Sequence, residues 1–293
     1  MHCLTNPSRS GRCPDAKSVA IALVIGLALS AASYAAAAEK DELRVCADPN
    51  NLPFSNEDGA GFENKLAELT AAGLGKKVTY TWWAQRRGFV RNTLNAELCD
   101  VVMGVPVDYE LVETTRPYYR SSYVFVSRTD RNLNVVSIKD PRLRDLKIGV
   151  HLIGSDGNNT PPSQALAQQN IVQNVAGYMI YGNYRDPNPP ARLVEAVEKG
   201  DIDIAAAWGP LAGYAAKISP VPLAIVPITG AEDFAPLRFQ FDIGMGVRKG
   251  DDALKARLDD IIARKQPQIR ELLESYGVPM IRASGRASET DSR

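Results

Sequence analysis

From residue 43 onward, short apolar runs alternate with stretches in which apolar residues recur every three or four positions. LRVCAD (43–48), KVTYTWW (77–83) and DVVMGV (100–105) read as strands. Between them, FENKLAELTAAGLG (62–75) puts Leu66, Leu69 and Leu74 on one side of a helix that Gly73 or Gly75 ends. RRGFVRNTLNAEL (86–98) reads as a second helix, with Phe89, Val90 and Leu94 inward. After the strand SSYVFVSR the pattern restarts. LKIGVHL (146–152) is a strand followed by the polar turn GSDGNNTPP, and Pro161 and Pro162 suit the start of a helix with SQALAQQN as its body. GYMIYG (177–182), IDIAAAW (202–208) and PLAIVPI (222–228) are further strands. PPARLVEAVEKGD (189–201) is a helix with Leu193, Val194 and Val197 inward and Gly200 as its stop, and GPLAGYAAKI (209–218) is another. RFQFDIGMGVRKGD returns an alternating strand, and 252–276 gives two amphipathic helices burying Leu254, Leu258, Ile261, Ile269 and Leu272.

Repeated strand–helix units predict an α/β fold, a parallel sheet with helices on both faces. The restart predicts two lobes: lobe 1 over 39–127, lobe 2 over 128–228, and a return to lobe 1 over 229–281, with 282–293 as a flexible tail. Connections near 126–130 and 228–236 leave a cleft between the lobes. In open α/β sheets the loops at the carboxyl ends of strands line such a crevice, which singles out 48–56, 83–87, 105–119, 152–160 and 208–210.

The first part of the 293-residue chain does not belong to this pattern. Arg9, Arg12 and Lys17 precede a short apolar run that ends in alanines, the layout of a secretory signal peptide over 1–38. The Ala/Ser tail is too weakly apolar for a membrane anchor, and neither Cys3 nor Cys13 follows the run as a lipoprotein would require. The expected mature chain carries 31 basic and 33 acidic residues, a balance with no nucleic-acid footprint. No later segment could span a membrane, and a monomeric periplasmic protein is expected. Only Cys46 and Cys99 remain after cleavage, each in an apparent strand. The alternatives are a disulfide, favoured by an oxidising compartment, and two buried thiols.

The segment LRVCADPNNLPFSNEDGAGFENKLAELTAAGLGKKVTYTWW resembles the opening of type II periplasmic solute-binding proteins of the amino-acid class. RPYYRSSYVFV resembles their domain-crossing segment, LVEAVEKGDIDIAAAW their second-lobe helix–strand step, and IGMGVRKGDDALKARLDDII their return to the first lobe. This resemblance covers nearly all of 43–280 and implies a two-lobed type II periplasmic binding protein fold with a central interlobe cleft. TWWAQRRGFVRNTLNAELCDVVMGVPVDYELVETTRPYYRSSYVF and AAAWGPLAGYAA resemble more narrowly the MxaJ/XoxJ type, the binding-protein-like component associated with quinoprotein methanol dehydrogenases. That resemblance implies a non-catalytic accessory to a PQQ-dependent, calcium- or lanthanide-containing methanol dehydrogenase, with its cytochrome c as a further candidate partner.

Amino-acid receptors of this class hold a zwitterion with an arginine and an aspartate. Here Leu111 aligns with the arginine and Trp208 with the aspartate. Burying a zwitterion without partners costs several kcal/mol, so amino-acid binding is not expected. What remains for the cleft is polar and aromatic: Asp48, Phe54, Trp83, Gln85, Arg86, Asp108, Tyr109, Arg116, Tyr118, Ser155, Asn159 and Trp208. Tyr, Trp and Arg dominate protein contact sites. The plain structural alternatives are a core Trp82 or Trp83, a solvated helix start at Arg86–Arg87, and hinge packing by Tyr118–Tyr119. The competing function is a transport receptor for a small solute other than an amino acid.

Signals for catalysis are weak. His151, at a strand end, is the one histidine of the expected mature chain and has no evident partner in sequence. GSDGNN lacks the Gly-x-Ser-x-Gly spacing of a nucleophile elbow. Counting from Asp156, Ala167 stands where a calcium loop needs glutamate. No Cys/His cluster has zinc spacing. Neither cofactor nor metal is expected.

Overall fold

The computed structural model describes residues 41–153, 159–181, 186 and 188–281. The expected leader, the tail 282–293 and Ser155 lie outside the described residues. Strand β1 (Glu42–Ala47) and two short strands, β2 (Asn50–Asn51) and β3 (Ser55–Asn56), lead into helix α1 (Phe62–Leu74). Then come β4 (Lys77–Trp82), a one-turn helix α2 (Phe89–Asn92), β5 (Val101–Pro106), β6 (Glu113–Thr114) and the long β7 (Tyr119–Arg128). The second half holds β8 (Ile148–Leu152), α3 (Pro161–Gln168), β9 (Val175–Met179), α4 (Arg192–Lys199), β10 (Ile204–Trp208), α5 (Gly209–Ile218) and β11 (Leu223–Pro227). The chain returns through β12 (Gln240–Val247) and closes with α6 (Asp252–Ser275). None of the described helices is long and apolar enough to cross a membrane.

The strands run in the order β4-β1-β5-β12-β7-β10-β8-β9, with β6 on β12 and β11 on β7. β4, β1 and β5 are parallel, as are β10, β8 and β9. The sheet is nonetheless mixed, not the uniformly parallel sheet expected. β12 runs antiparallel to both β5 and β7, and β7 antiparallel to β10 and β11. The return strand and the crossing strand enter without a helical crossover, and that reverses their direction. β7 serves both halves. Residues 119–122 pair with β12 and residues 123–128 with β10 and β11. The pairing therefore changes hands at Ser122–Tyr123, a few residues before 126–130.

Side-chain alternation explains why the second half is covered on both faces. Phe125, Ile204 and Ala206 join Ile148 and Val150 on one face, while Val124, Val126, Ala205 and Ala207 pack under Leu193 and Val197 of α4 on the other. In the first half, Leu43, Val45, Val101, Met103 and Met245 meet Phe62 and Leu66 of α1 and Leu258, Ile262 and Ile269 of α6.

Two helix expectations change. Residues 86–98 form only one helical turn. Gly88 at φ 83° and Glu97 at φ 59° are left-handed, and such residues do not sit inside a right-handed helix. The expected inward positions hold, since Phe89, Val90 and Leu94 bury against the Cys46–Cys99 disulfide, whose Cα atoms are 5.5 Å apart. Residues 252–275 form one helix instead of two. Pro267 lies on its exposed side, while Leu258, Ile262, Ile269 and Leu273 keep one buried stripe across it. Burial on both sides of the proline outweighs a break that costs about 3 kcal/mol.

Candidate binding cleft

The loops at the strand ends converge as the alternation implies. At the end of β1, Asp48 is 4% exposed and organises two loops. One carboxylate oxygen accepts from the Asn50 backbone N–H at 2.8 Å and the other from the Gln85 N–H at 2.6 Å. Its carbonyl accepts from the Ser55 hydroxyl at 2.8 Å. Phe54 then stands edge-on to Phe62, 5.4 Å between ring centres. This packing needs Gly61, because a Cβ there would sit 2.0 Å from the Phe54 carbonyl oxygen. From the other half, Trp208 ends β10 and lies 5.3 Å from the Tyr123 ring and 5.8 Å from Phe241. Arg238 covers the Phe241 ring at 5.3 Å.

Asp48, Phe54, Tyr123, Trp208 and Phe241 help line a cavity of about 310 Å³ between the halves, with Arg238 behind the Phe241 ring and outside the lining. Of the residues expected at the cleft, Asp48, Phe54, Gln85 and Trp208 line it. Trp83, Arg86, Asp108 and Tyr109 stand on exposed loops and are not part of its wall. Asp108, at φ 76°, lies 4.0 Å from Arg238. Arg116 fastens its loop to α6: its backbone N–H donates to Asp259 at 2.6 Å and its guanidinium is 4.0 Å from the same carboxylate. Tyr118 is core, donating its hydroxyl to the Met103 carbonyl at 2.8 Å. Asn159 closes its own loop by accepting from the Ile153 N–H at 3.2 Å. A larger depression of about 510 Å³ lies between β7 and α6, where the Arg120–Asp242 ion pair is satisfied within itself.

Three contributors do not stand out as site residues in the sequence. Glu63, in the first turn of α1, lines the cavity; its N–H donates to the Phe54 carbonyl at 2.9 Å, but its carboxyl has no hydrogen-bond or ion-pair partner among the described residues. Burial pushes its carboxyl from 4.5 up to about 8. The sequence does hold a signal for it, the glycine inside VVMGV. A Cβ at Gly104 would lie 2.2 Å from a Glu63 carboxylate oxygen, and a glycine within a strand marks such a close approach. Asn50 joins the two halves. Its amide donates to the Asp186 carbonyl at 2.8 Å, and its side-chain oxygen accepts from the Asn188 N–H at 3.0 Å. His151, a strand-end histidine with no evident partner in sequence, is 2% exposed, yet it also lines the cavity. Its Nε2 is 3.0 Å from the Pro190 carbonyl, and burial lowers its pKa from 6.5 to about 4. Among the described residues no group of three or more His, Cys, Asp or Glu could hold a metal ion.

A two-lobed α/β body with a cavity at the strand ends is the plan of a solute-binding protein. The chain belongs to the bacterial extracellular solute-binding proteins, family 3, whose model matches residues 43–278. It is 34% identical over 269 residues to the protein MoxJ of Methylorubrum extorquens, covering 88% of this chain and 87% of that protein. With MoxJ of Paracoccus denitrificans the identity is 28% over 265 residues, covering 88% of this chain and 96% of the relative. The crystal structure of the periplasmic binding protein XoxJ from Methylobacterium extorquens AM1 superposes with a TM-score of 0.68 at 35% identity, covering 82% of this chain and 100% of that one. Both the fold and the MxaJ/XoxJ resemblance read from the sequence are thereby confirmed.

Proposed function

We propose that the mature protein is a non-catalytic periplasmic accessory of a PQQ-dependent methanol dehydrogenase. It binds the enzyme, or a segment of it, in the interlobe cleft and assists maturation or activation. The observation that carries this reading is the cavity wall of a MoxJ-like chain. Trp208 occupies it, Leu111 is 46% exposed and not part of it, and no lysine or arginine lines it among the described residues. An amino-acid carboxylate would find no guanidinium there, which removes the bidentate bond that receptors of this class rely on. Taking lobe 1 over 39–127 and 229–281 and lobe 2 over 128–228, an opening about the connecting strands would make room for a protein element larger than a solute.

A second reading is favoured by the cavity's size. A volume of about 310 Å³ falls at the low end of the roughly 300–1,000 Å³ typical of small-ligand sites, which suits a transport receptor. A deletion strain separates the two. The accessory reading predicts impaired dehydrogenase assembly and alcohol oxidation with solute uptake intact. Normal alcohol oxidation with collapsed uptake of one solute would establish the receptor instead.

A further inference from the structure

The cavity is chemically one-sided. Glu63 presents a carboxyl with no partner among the described residues. Besides burial, its charge raises the pKa values of the tyrosines Tyr80, Tyr118 and Tyr119; they are neutral near neutral pH and cannot balance a carboxylate. His151 adds a second acceptor. Its Nε2 lies 3.0 Å from the Pro190 carbonyl oxygen. Two acceptors do not hold that distance, so Nε2 carries the proton. Nδ1 is then a bare lone pair with no partner among the described residues, on a ring that is 2% exposed and stays neutral down to about pH 4. Both Asp48 oxygens are already taken by backbone N–H groups. The rings of Phe54, Tyr123 and Trp208 line the same cavity, together with Ile153, Ile180 and Leu211. Aromatic faces attract cations, and the aliphatic wall accepts an apolar stem.

We infer that the interlobe cavity receives a single ammonium group on an apolar stem, held by the Glu63 carboxylate and His151 Nδ1 against the rings of Phe54, Tyr123 and Trp208. An anion is disfavoured, since no lysine or arginine lines the cavity among the described residues. Among the described residues of the wall, Glu63 is the carboxyl without a partner, which matches one positive charge. Two sources carry this chemistry, a free alkylamine and a lysine side chain of the docked dehydrogenase. For the second, the inference rests on the function proposed above.

The test has two arms. In the first, n-butylammonium and benzylammonium are titrated calorimetrically into the mature protein, with n-butanol and benzyl alcohol as neutral isosteres. The amines bind, the alcohols at least tenfold more weakly. Glu63→Gln, whose folding is checked by thermal melting, loses at least tenfold in amine affinity and leaves alcohol binding unchanged. Because Glu63 must ionise to hold a cation, amines bind more tightly at about pH 8 than at about pH 6. In the second arm, dehydrogenase whose lysines are acetylated is compared with dehydrogenase whose lysines are monomethylated and keep their charge and two N–H donors. Tight amine binding with no effect of acetylation assigns the site to a free amine. Loss of dehydrogenase binding on acetylation but not on monomethylation, with the same loss for Glu63→Gln, assigns it to a lysine. Binding that ignores both charge and Glu63, or no binding in either arm, overturns the inference. Amines bound through Glu63 with no dehydrogenase bound at all would overturn the docking reading alone.

Discussion

Glu63 and His151 titrate in opposite senses across overlapping pH ranges. The Glu63 carboxyl rises from 4.5 to about 8 on folding, so the native state keeps a proton that the unfolded chain has released. Its contribution to stability therefore falls as pH rises from 4.5 towards about 8. His151 falls from 6.5 to about 4, so the unfolded chain takes a proton that the native state refuses. Its contribution is complete above 6.5 and is lost as pH falls towards about 4. Each tenfold change in proton affinity between the folded and unfolded chain is worth roughly 1.4 kcal/mol. Urea unfolding at a series of pH values should show Glu63→Gln gaining on the wild type by a few kcal/mol between about pH 4.5 and pH 8, and matching its slope below that window. His151→Gln, which keeps a donor for the Pro190 carbonyl, should lose less stability than the wild type on acidification below about pH 6.5. Curves parallel to the wild type would show that the two groups are not buried as described. At this scale the sequence is partly legible. Asp48, Phe54, Gln85 and Trp208 follow from their places at strand ends. The strand glycine Gly104 marks a close approach without naming Glu63 as its partner, and Asn50 depends on Asp186–Asn188, a tertiary contact that no local pattern encodes.

Elements are held where the cavity needs them by two tight constraints. The Cys46–Cys99 disulfide closes a loop with a sequence separation of 53 residues and anchors the apolar cluster under Phe89, Val90 and Leu94. In the loop-entropy model its removal costs about 4 kcal/mol. A Cys46→Ala/Cys99→Ala protein should lose stability of that order in urea, and the native protein should show no labelling of either cysteine by a thiol reagent before reduction. Labelling of both without reduction would refute the bridge. Gly61 lets the start of α1 pass against the Phe54 carbonyl. Gly61→Ala forces the two backbones apart and should cost about 1–3 kcal/mol, as overpacking does. An unchanged unfolding midpoint would contradict that close approach. The apolar periodicity locates nearly every buried stripe, because burial leaves a period in the sequence. It overextends the helix at 86–98 because left-handed residues such as Glu97 leave no such mark. It splits α6 because a proline on a solvent face looks in sequence like one that ends a helix.

At the scale of the whole molecule, β7 and β12 tie the halves together on one side and Asn50 ties them across the cleft. Asn50→Ala removes both cross-cleft bonds while leaving the shared strands intact. Small-angle scattering should then show a larger radius of gyration than the wild type, and superimposable curves would mean that Asn50 does not hold the halves closed. The two-lobed plan is legible because the strand–helix pattern restarts after SSYVFVSR. The mixed sheet is not, since a strand's direction is set by its connection and not by its side chains. The central claim is that the cleft docks a quinoprotein methanol dehydrogenase. Its most direct test is the binding of the purified dehydrogenase to immobilised mature protein, for the wild type, for Trp208→Ala in the cavity wall, and for Lys199→Ala at the far end of α4. The account predicts binding by the wild type, equal binding by Lys199→Ala, and at least a tenfold loss, about 1.4 kcal/mol, for Trp208→Ala with the fold intact by circular dichroism. Equal binding by all three, or no binding by the wild type, would contradict it.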